Sequence, residues 1–385
     1  MNRHLITTKA VIPSCVQICM DDLGWFNGED DRFQGGPSRT AMSRRHTYQD
    51  YEAINMLGER LNMKINCAFI MGEWDPDNRL RKIPHISKHK EWDNARFFNK
   101  EEAAKCAEAI NNSPYIDVAI HGLLHGYYKE GVDNTDTSDW YYREDGELFM
   151  IPEQEVRDRL DMFFELLEIS GIKKKVNSYI PPSGAYRWGE LTKILKDYGV
   201  DYSTPVFNEI VFPEDVEVPE LVALEDGIVT ISRYGKRGSG NNLPWDHHDC
   251  DLTNAPLCEG IFGCHWPNFL YCSPNKNSKV IDRNVPYFER NANTFGIILS
   301  RDLRFCATMA MFKQYAKLTR IGPDLCFDIS EMPKTDKIDN KFIISAKSAP
   351  VSSEGCTFKL YETRPGFFNY EITINPGVQQ FKVTF

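Results

Sequence analysis

The sequence predicts an α/β protein: an irregular (β/α) barrel of about seven strands, followed by a small all-β region. Three observations carry this expectation. Four short apolar stretches, at 16–22, 117–125, 179–184 and 260–266, each run directly into polar or charged residues. That is the pattern of a barrel or open α/β sheet that gathers a site at the carboxyl ends of its strands. The opening reads strand, helix, strand, which normally means parallel pairing. Near the C-terminus short strands follow one another with turn signals and no helix between them.

The first strand, 16–22, ends in Asp21 and Asp22. Side chains alternate along a strand, so adjacent carboxylates should diverge, one free to act as a base while the other reaches a metal. A polar loop at 24–45 follows, with Gly28, Gly35, Gly36 and Pro37. Thr47 then reads as the N-cap of a helix over 48–62, with Tyr51, Ile54, Leu57, Gly58 and Leu61 on one face. Residues 65–70 are the second strand, and 75–98 a long polar loop. Asn99 followed by Glu102 predicts a capping box and a helix over 99–112. The third strand, 117–121, precedes an aromatic-rich insertion at 127–151. A helix over 152–170 starts with Pro152. Residues 178–182 form the fourth strand, and 187–198 a helix ended by Gly199. Strands are expected at 200–206 and 227–234, a Gly-, Asn- and Pro-rich loop at 235–259, a strand at 260–266 and a closing helix at 300–319. Short strands at 341–344, 357–361, 369–374 and 380–385 complete the chain. The expected division is a catalytic barrel over 1–325 and a small β-sandwich-like domain over 326–385.

With 385 residues, 42% hydrophobic and 26% charged, the chain is an ordinary globular protein that can bury a core without disulfides. A net charge of -10 argues against a nucleic-acid partner, whose phosphates call for a basic footprint. The 11 cysteines are irregularly spaced, and several lie in apolar strands, which points to reduced thiols. The first residues lack the apolar region of a signal peptide, and no run approaches the ~20 apolar residues of a membrane span. A cytoplasmic protein with no membrane span is therefore expected, its oligomeric state left open.

His121 and His125 lie four apart at a strand end, where a turn can bring both imidazoles to one ion. With Asp22 they supply two nitrogens and a carboxylate oxygen, and they leave a position open, as catalytic zinc sites require. Each element alone has a bland reading: a chance His pair among nine histidines, and a solvated acidic turn. Together they suggest metal-assisted hydrolysis of an acyl bond, with Asp21 as base. His265, at the end of another strand, is placed to act as general acid. Pro181-Pro182-Ser183-Gly184 reads as a rigid turn whose backbone approaches a ligand closely.

These stretches, in this order, resemble the polysaccharide deacetylase family over roughly residues 10–320. Met20-Asp21-Asp22 resembles its Asp-Asp motif, His121-Gly122-Leu123-Leu124-His125 its His-x-x-x-His motif, Pro181-Pro182-Ser183-Gly184 its Arg-Pro-Pro-x-Gly core, and His265 the histidine of its last motif. The resemblance implies an irregular (β/α) barrel. It implies Asp21 as base, Asp22, His121 and His125 as ligands of a divalent transition metal, with zinc the expected one, and His265 as acid. The chain departs from the pattern at Gly122, where the family has Ser or Thr, at Ile180, where it has an arginine that orients the catalytic Asp, and at Gly263. Arg187 stands as the candidate replacement for that arginine, and residues 245–249 for an absent fourth motif. Pro182, Gly184, Tyr186, Trp140 and Trp266 are the expected substrate surface. The predicted activity is removal of an acetyl group from a small or oligomeric N- or O-acetylated carbohydrate. An amidohydrolase acting on a small non-sugar amide, or a non-catalytic carbohydrate-binding protein on the same scaffold, are the alternatives.

Overall fold

The computed structural model describes residues 10–28, 40–87, 92–131, 138–233, 243–252, 257 and 259–385. Parts of the loops expected at 24–45, 75–98, 127–151 and 235–259 lie outside the described residues. The large sheet contains β1 (Cys15–Leu23), β2 (Ile65–Ile70), β3 (Ile116–Gly122), β6 (Val176–Tyr179), β7 (Tyr202–Ser203), β8 (Val222–Glu225), β9 (Ile228–Ile231), β10 (Gly260–His265) and β11 (Ile298–Leu299). A separate hairpin, β4 (Tyr141–Glu144) and β5 (Glu147–Met150), lies within the third insertion. The sheet order is β10-β1-β2-β3-β6-β7-β9-β8, with β11 beside β1. Neighbours pair in parallel, except the antiparallel β8–β9 pair. Arg233, just past β9, makes a parallel bridge to Ile261 of β10. The sheet therefore curls, and the ends of its parallel part meet.

Six helices accompany the sheet among the described residues: α1 (Tyr48–Leu61), α2 (Lys100–Asn112), α3 (Glu153–Ser170), α4 (Leu191–Leu195), α5 (Asn277–Phe295) and α6 (Leu303–Tyr315). One face of the strands, with Val16, Ile18 and Met20 of β1 and Ile65, Cys67 and Phe69 of β2, packs with Ile54, Leu57, Ile110, Leu160 and Phe163 of the helices. The other face carries Cys19, Ala68 and Ala119, beside a polar set in which Ser178 donates to Asn66 (2.8 Å) and Asn66 to Cys19 Sγ (3.4 Å). At the start of α1 Asp50 accepts from Thr47 N (3.0 Å), and Asn99 caps α2 by accepting from Glu102 N (3.1 Å). These caps fix where the helices start after the loops.

Helix α6 ties together the two ends of the curl. Its Gln314 accepts from Leu221 N and Val222 N beside β8, while its Lys313 donates to Ser14 Oγ beside β1. It is buried on nearly every side, because the C-terminal strands cover it. These are β12 (Lys317–Ile321), β13 (Asp324–Asp328), β14 (Lys341–Ala346), β15 (Ser352–Glu354), β16 (Cys356–Arg364), β17 (Phe367–Ile374) and β18 (Gln380–Thr384). They form a four-stranded sheet, β12-β13-β18-β15, and a three-stranded one, β14-β17-β16. Phe342 of β14 stacks on Phe312 of α6 at 4.2 Å between ring centroids and meets Phe327 and Phe381 edge-on.

Three features differ from the sequence expectation. The all-β region starts at Lys317, not 326, since β12 and β13 pair with each other and with β18. Helix α6 is correspondingly shorter than 300–319. The β4–β5 hairpin lies within the stretch read as an insertion, and helix α5 fills a stretch to which the sequence reading assigns no element.

Candidate active site

At the carboxyl end of β1 the pairing with β2 shifts register between Met20 and Leu23. Asp22 there adopts φ 64. The left-handed backbone, at a bulge-like irregularity, re-aims a side chain that regular alternation would send to the helix layer. Its carboxylate instead meets two imidazoles. Asp22 Oδ1 lies 3.6 Å from His121 Nε2 and 3.5 Å from His125 Nε2. His125 also has a left-handed backbone, φ 58. All three side chains are buried, and they form a cluster able to hold a metal ion.

The separations fit that role. Two donors each about 2.1 Å from an ion, at a tetrahedral angle, stand about 3.4 Å apart. His121 Nδ1 lies 2.7 Å from Ile180 O, so that carbonyl accepts the Nδ1 proton and leaves the Nε2 lone pair facing Asp22. This is the outer-shell arrangement that orients a ligating imidazole. The turn carrying His125 is held by Asp139, which accepts from His125 N (2.8 Å) and Leu124 N (3.3 Å) and pairs with the buried Arg159 (3.2 Å). Gly122 makes room for it, since a Cβ at 122 would stand 2.1 Å from Asp139 Oδ2. The missing Ser or Thr of the motif is thus answered by a carboxylate from another segment. Trp140 Nε1 donates to His121 O (3.2 Å) from the residue next to Asp139.

Asp21 is also buried, and Arg233 grips it with two hydrogen bonds of 2.6 and 2.5 Å. Burial pushes the Asp21 carboxyl up. The Arg233 charge and hydrogen bonds, helped by the charges of His121 and His265, overcome this and hold it below the usual carboxylate range. Asp21 is in register with His265 on β10. His265 Nδ1 lies 2.7 Å from Leu243 O, a geometry that keeps Nε2 for other partners.

The arginine is therefore supplied by the end of β9 rather than by position 180 or by Arg187. Arg187 is engaged with Glu190 (2.9 Å) and Leu148 O (2.7 Å). Residues 245–249 do not complete a fourth motif: His248 meets Cys272 Sγ (2.8 Å) and Asp249 pairs with Arg283 (2.7 Å).

The expected aromatic substrate surface is corrected as well. Trp140, Trp266 and Tyr186 are each 0% exposed. Trp140 supports His121 from behind, Tyr186 donates to Glu225 (2.9 Å), and Trp266 stacks on His46 (3.8 Å). Large flat side chains adjoining a strand end were more valuable to the core than to solvent. Of the expected surface, Pro182 is buried and Gly184 half-buried. Gly184 has φ 68, and a Cβ there would stand 2.2 Å from Glu209 Oε2, a rim carboxylate absent from the sequence reading.

A second constellation lies beside the cluster. His46, buried, has Nδ1 3.2 Å from Asp50 Oδ2. Asp50 is fixed by two hydrogen bonds from Arg44 (2.8 and 2.9 Å), by Asn277 Nδ2 (2.8 Å) and by Thr47 N (3.0 Å). Burial holds His46 below the usual imidazole range, although Asp50 and the nearby Asp22 oppose it. The neutral ring then carries its proton on Nδ1, toward Asp50. The loop after β1 is anchored by Glu73, which accepts from Phe26 N, Asn27 N (2.6 Å) and Gly28 N (3.3 Å).

No family model matches the chain, and no curated protein matches it in sequence. Among solved structures it is similar to a Mycobacterium smegmatis protein named provisionally as a polysaccharide deacetylase, with 14% identity, 80% of this chain and 95% of that one covered, and a TM-score of 0.42. It is also similar to a GH57-type branching enzyme from Pyrococcus horikoshii, at 12% identity, 74% and 68% coverage and TM-score 0.40. A Parabacteroides distasonis protein named provisionally as a glycoside hydrolase/deacetylase follows at 9% identity, 91% and 81% coverage and TM-score 0.39. Likeness at this level carries no argument, so the functional reading rests on the geometry above. No described helix is long and apolar enough to cross a membrane.

Proposed function

We propose that this chain is a metal-dependent hydrolase that removes an acetyl group from an N- or O-acetylated sugar or glycan. The observation that carries the reading is the convergence of Asp22, His121 and His125, at donor separations of 3.5 and 3.6 Å, beside the Asp21–Arg233 pair. Asp22, His121 and His125 would hold a divalent ion, zinc by the donor set, which when bound would supply Lewis acidity toward a carbonyl and ease deprotonation of water near pH 7. Asp21 takes the proton at a carboxylate oxygen. Each of its oxygens has lone pairs beyond the one that Arg233 engages. Arg233 fixes the angle of that carboxylate and keeps it ionised. His265 Nε2 delivers a proton to the leaving group. Pro182 and Gly184 line the approach. The proposed division is a catalytic barrel over 1–325 followed by a small β domain over 326–385, and the antiparallel strands that begin at Lys317 favour a slightly earlier start.

A second reading, hydrolysis of a small non-sugar amide at the same site, is favoured by one observation: the aromatics expected to stack on sugar rings are buried. A pure binding protein is disfavoured, because a binder has no use for a buried carboxylate gripped by arginine beside a ligand cluster. The test is elemental analysis of the purified protein together with acetate release from a panel of acetylated sugars. About one equivalent of metal, lost in His125→Ala, with acetate released, supports the proposal. Metal with turnover only of non-sugar amides selects the second reading. No metal after reconstitution overturns both.

A further inference from the structure

The proposed reaction uses Asp21, Asp22, His121, His125 and His265 and leaves His46 without a task. Yet His46 is built like a working group. It is 1% exposed. Trp266 lies over its ring at 3.8 Å, with the planes 16° apart, which fixes the ring plane. Asp50 fixes the rotation within that plane through Nδ1, and Asp50 is itself held by four other hydrogen bonds. Nε2 is buried, and among the described residues it has no hydrogen-bond partner. A buried imidazole nitrogen left unpartnered in so rigid a mount is costly unless a ligand completes it. Asp22 is among the charges that act on the ring. Trp266 directly follows His265, whose neighbour across the sheet is Asp21.

We infer that His46 is a further residue of this site: its Nε2 accepts a hydrogen bond from an N–H or O–H of the ligand held at the position that Asp22, His121 and His125 leave open. The inference rests on the metal-hydrolase reading and adds a binding requirement, a donor on the ligand toward His46. Alongside the Asp21 carboxylate, which Arg233 engages at both oxygens, His46 adds a second acceptor. It stands outside the Asp22–His121–His125 donor set, which sets its role apart from that of the ion's donors.

Acetohydroxamic acid is a suitable probe, because it chelates metals and carries both N–H and O–H donors. Zinc binding and hydroxamate binding are measured by calorimetry on the full chain and on two variants. His46→Phe keeps the stack on Trp266 and deletes the acceptor; His46→Gln restores an acceptor. The expected result is zinc affinity unchanged within about twofold in both variants. Hydroxamate affinity falls about three- to tenfold in His46→Phe, the loss of one hydrogen bond, and recovers in part in His46→Gln. Equal hydroxamate affinity in His46→Phe and the unaltered chain overturns the inference and leaves the hydrolase reading standing. Loss of zinc binding in a folded His46→Phe also overturns it, since His46 would then be a ligand of the ion. Failure of the unaltered chain to bind zinc overturns both. A crystal structure of the unaltered chain with zinc and acetohydroxamate needs no variant. Nε2 within about 3.2 Å of a hydroxamate donor supports the inference, and Nε2 bonded to zinc or outside that range overturns it.

Discussion

The curled parallel sheet and the C-terminal antiparallel sheets bury very different things. At one end of the first lie Asp21, Asp22, His121, His125, Asp139, Arg159 and Arg233, all nearly inaccessible. The second holds a core of Phe327, Phe342, Ile343, Ile372, Phe381 and Val383, and strand β12 is exposed along its whole length. Ionised groups taken out of water are expensive unless paired and hydrogen-bonded. The barrel concentrates much of that expense around the cluster, where two residues have left-handed backbone. The C-terminal sheets carry little of it, chiefly Glu371 of β17 paired with Lys359 at 3.0 Å. The contrast separates residues arranged for chemistry from residues arranged for cohesion, and each predicts its own kind of failure.

The largest effect is expected for Asp22→Ala. Removing one of three donors should lower zinc affinity by at least about a hundredfold, measured by competition with a chelator, with little change in melting temperature. Next comes Phe342→Ala, which should cost about 3–5 kcal/mol in denaturant unfolding while zinc affinity stays unchanged. If it weakened zinc binding strongly, the division between the two regions would fail. Arg233→Met should destabilise by a comparable or smaller amount, about 3 kcal/mol, because Asp21 is left as an uncompensated buried charge.

The smallest effect is the pH dependence, and it tests the same pair. Asp21 and Asp50 have folded-state carboxyls held below their usual range. Their contribution to stability is therefore complete above the unfolded value, about 3.9, and is lost as pH falls through the folded values. In Arg233→Met the counter-charge is gone and burial raises the Asp21 carboxyl. Its contribution should then reverse, with stability falling as pH rises through about 4. Melting temperatures across the acid range for both proteins decide this.

Much of the site was legible because strand ends announce it. Asp22, His121 and His125 sit where apolar runs stop, and their convergence needs only parallel strands that align. The groups that hold them were not legible. Arg233 reaches Asp21 across 212 positions, and Asp139 reaches under Gly122 from a loop. No local spacing records either contact. A charged residue two positions after the apolar strand 228–231, and an unexpected Gly between the two histidines, are the hints a reader could have used. Helix α5 was hidden by Pro286 inside it, which reads as punctuation. The aromatic residues misled for a general reason: composition shows that a side chain can stack, not whether a neighbour already occupies its face.

Arg233 has two duties at once, gripping Asp21 and bridging to Ile261 where the ends of the curl meet. During synthesis the donors Asp22, His121 and His125 leave the ribosome within the first third of the chain. The arginine comes much later, and its bridging partner later still. A nascent chain can therefore hold the ion's donors long before Asp21 has its counter-charge. On the proposed function, metal capture and arming of the base would be separate events in time, the second waiting on strands that close a long-range contact.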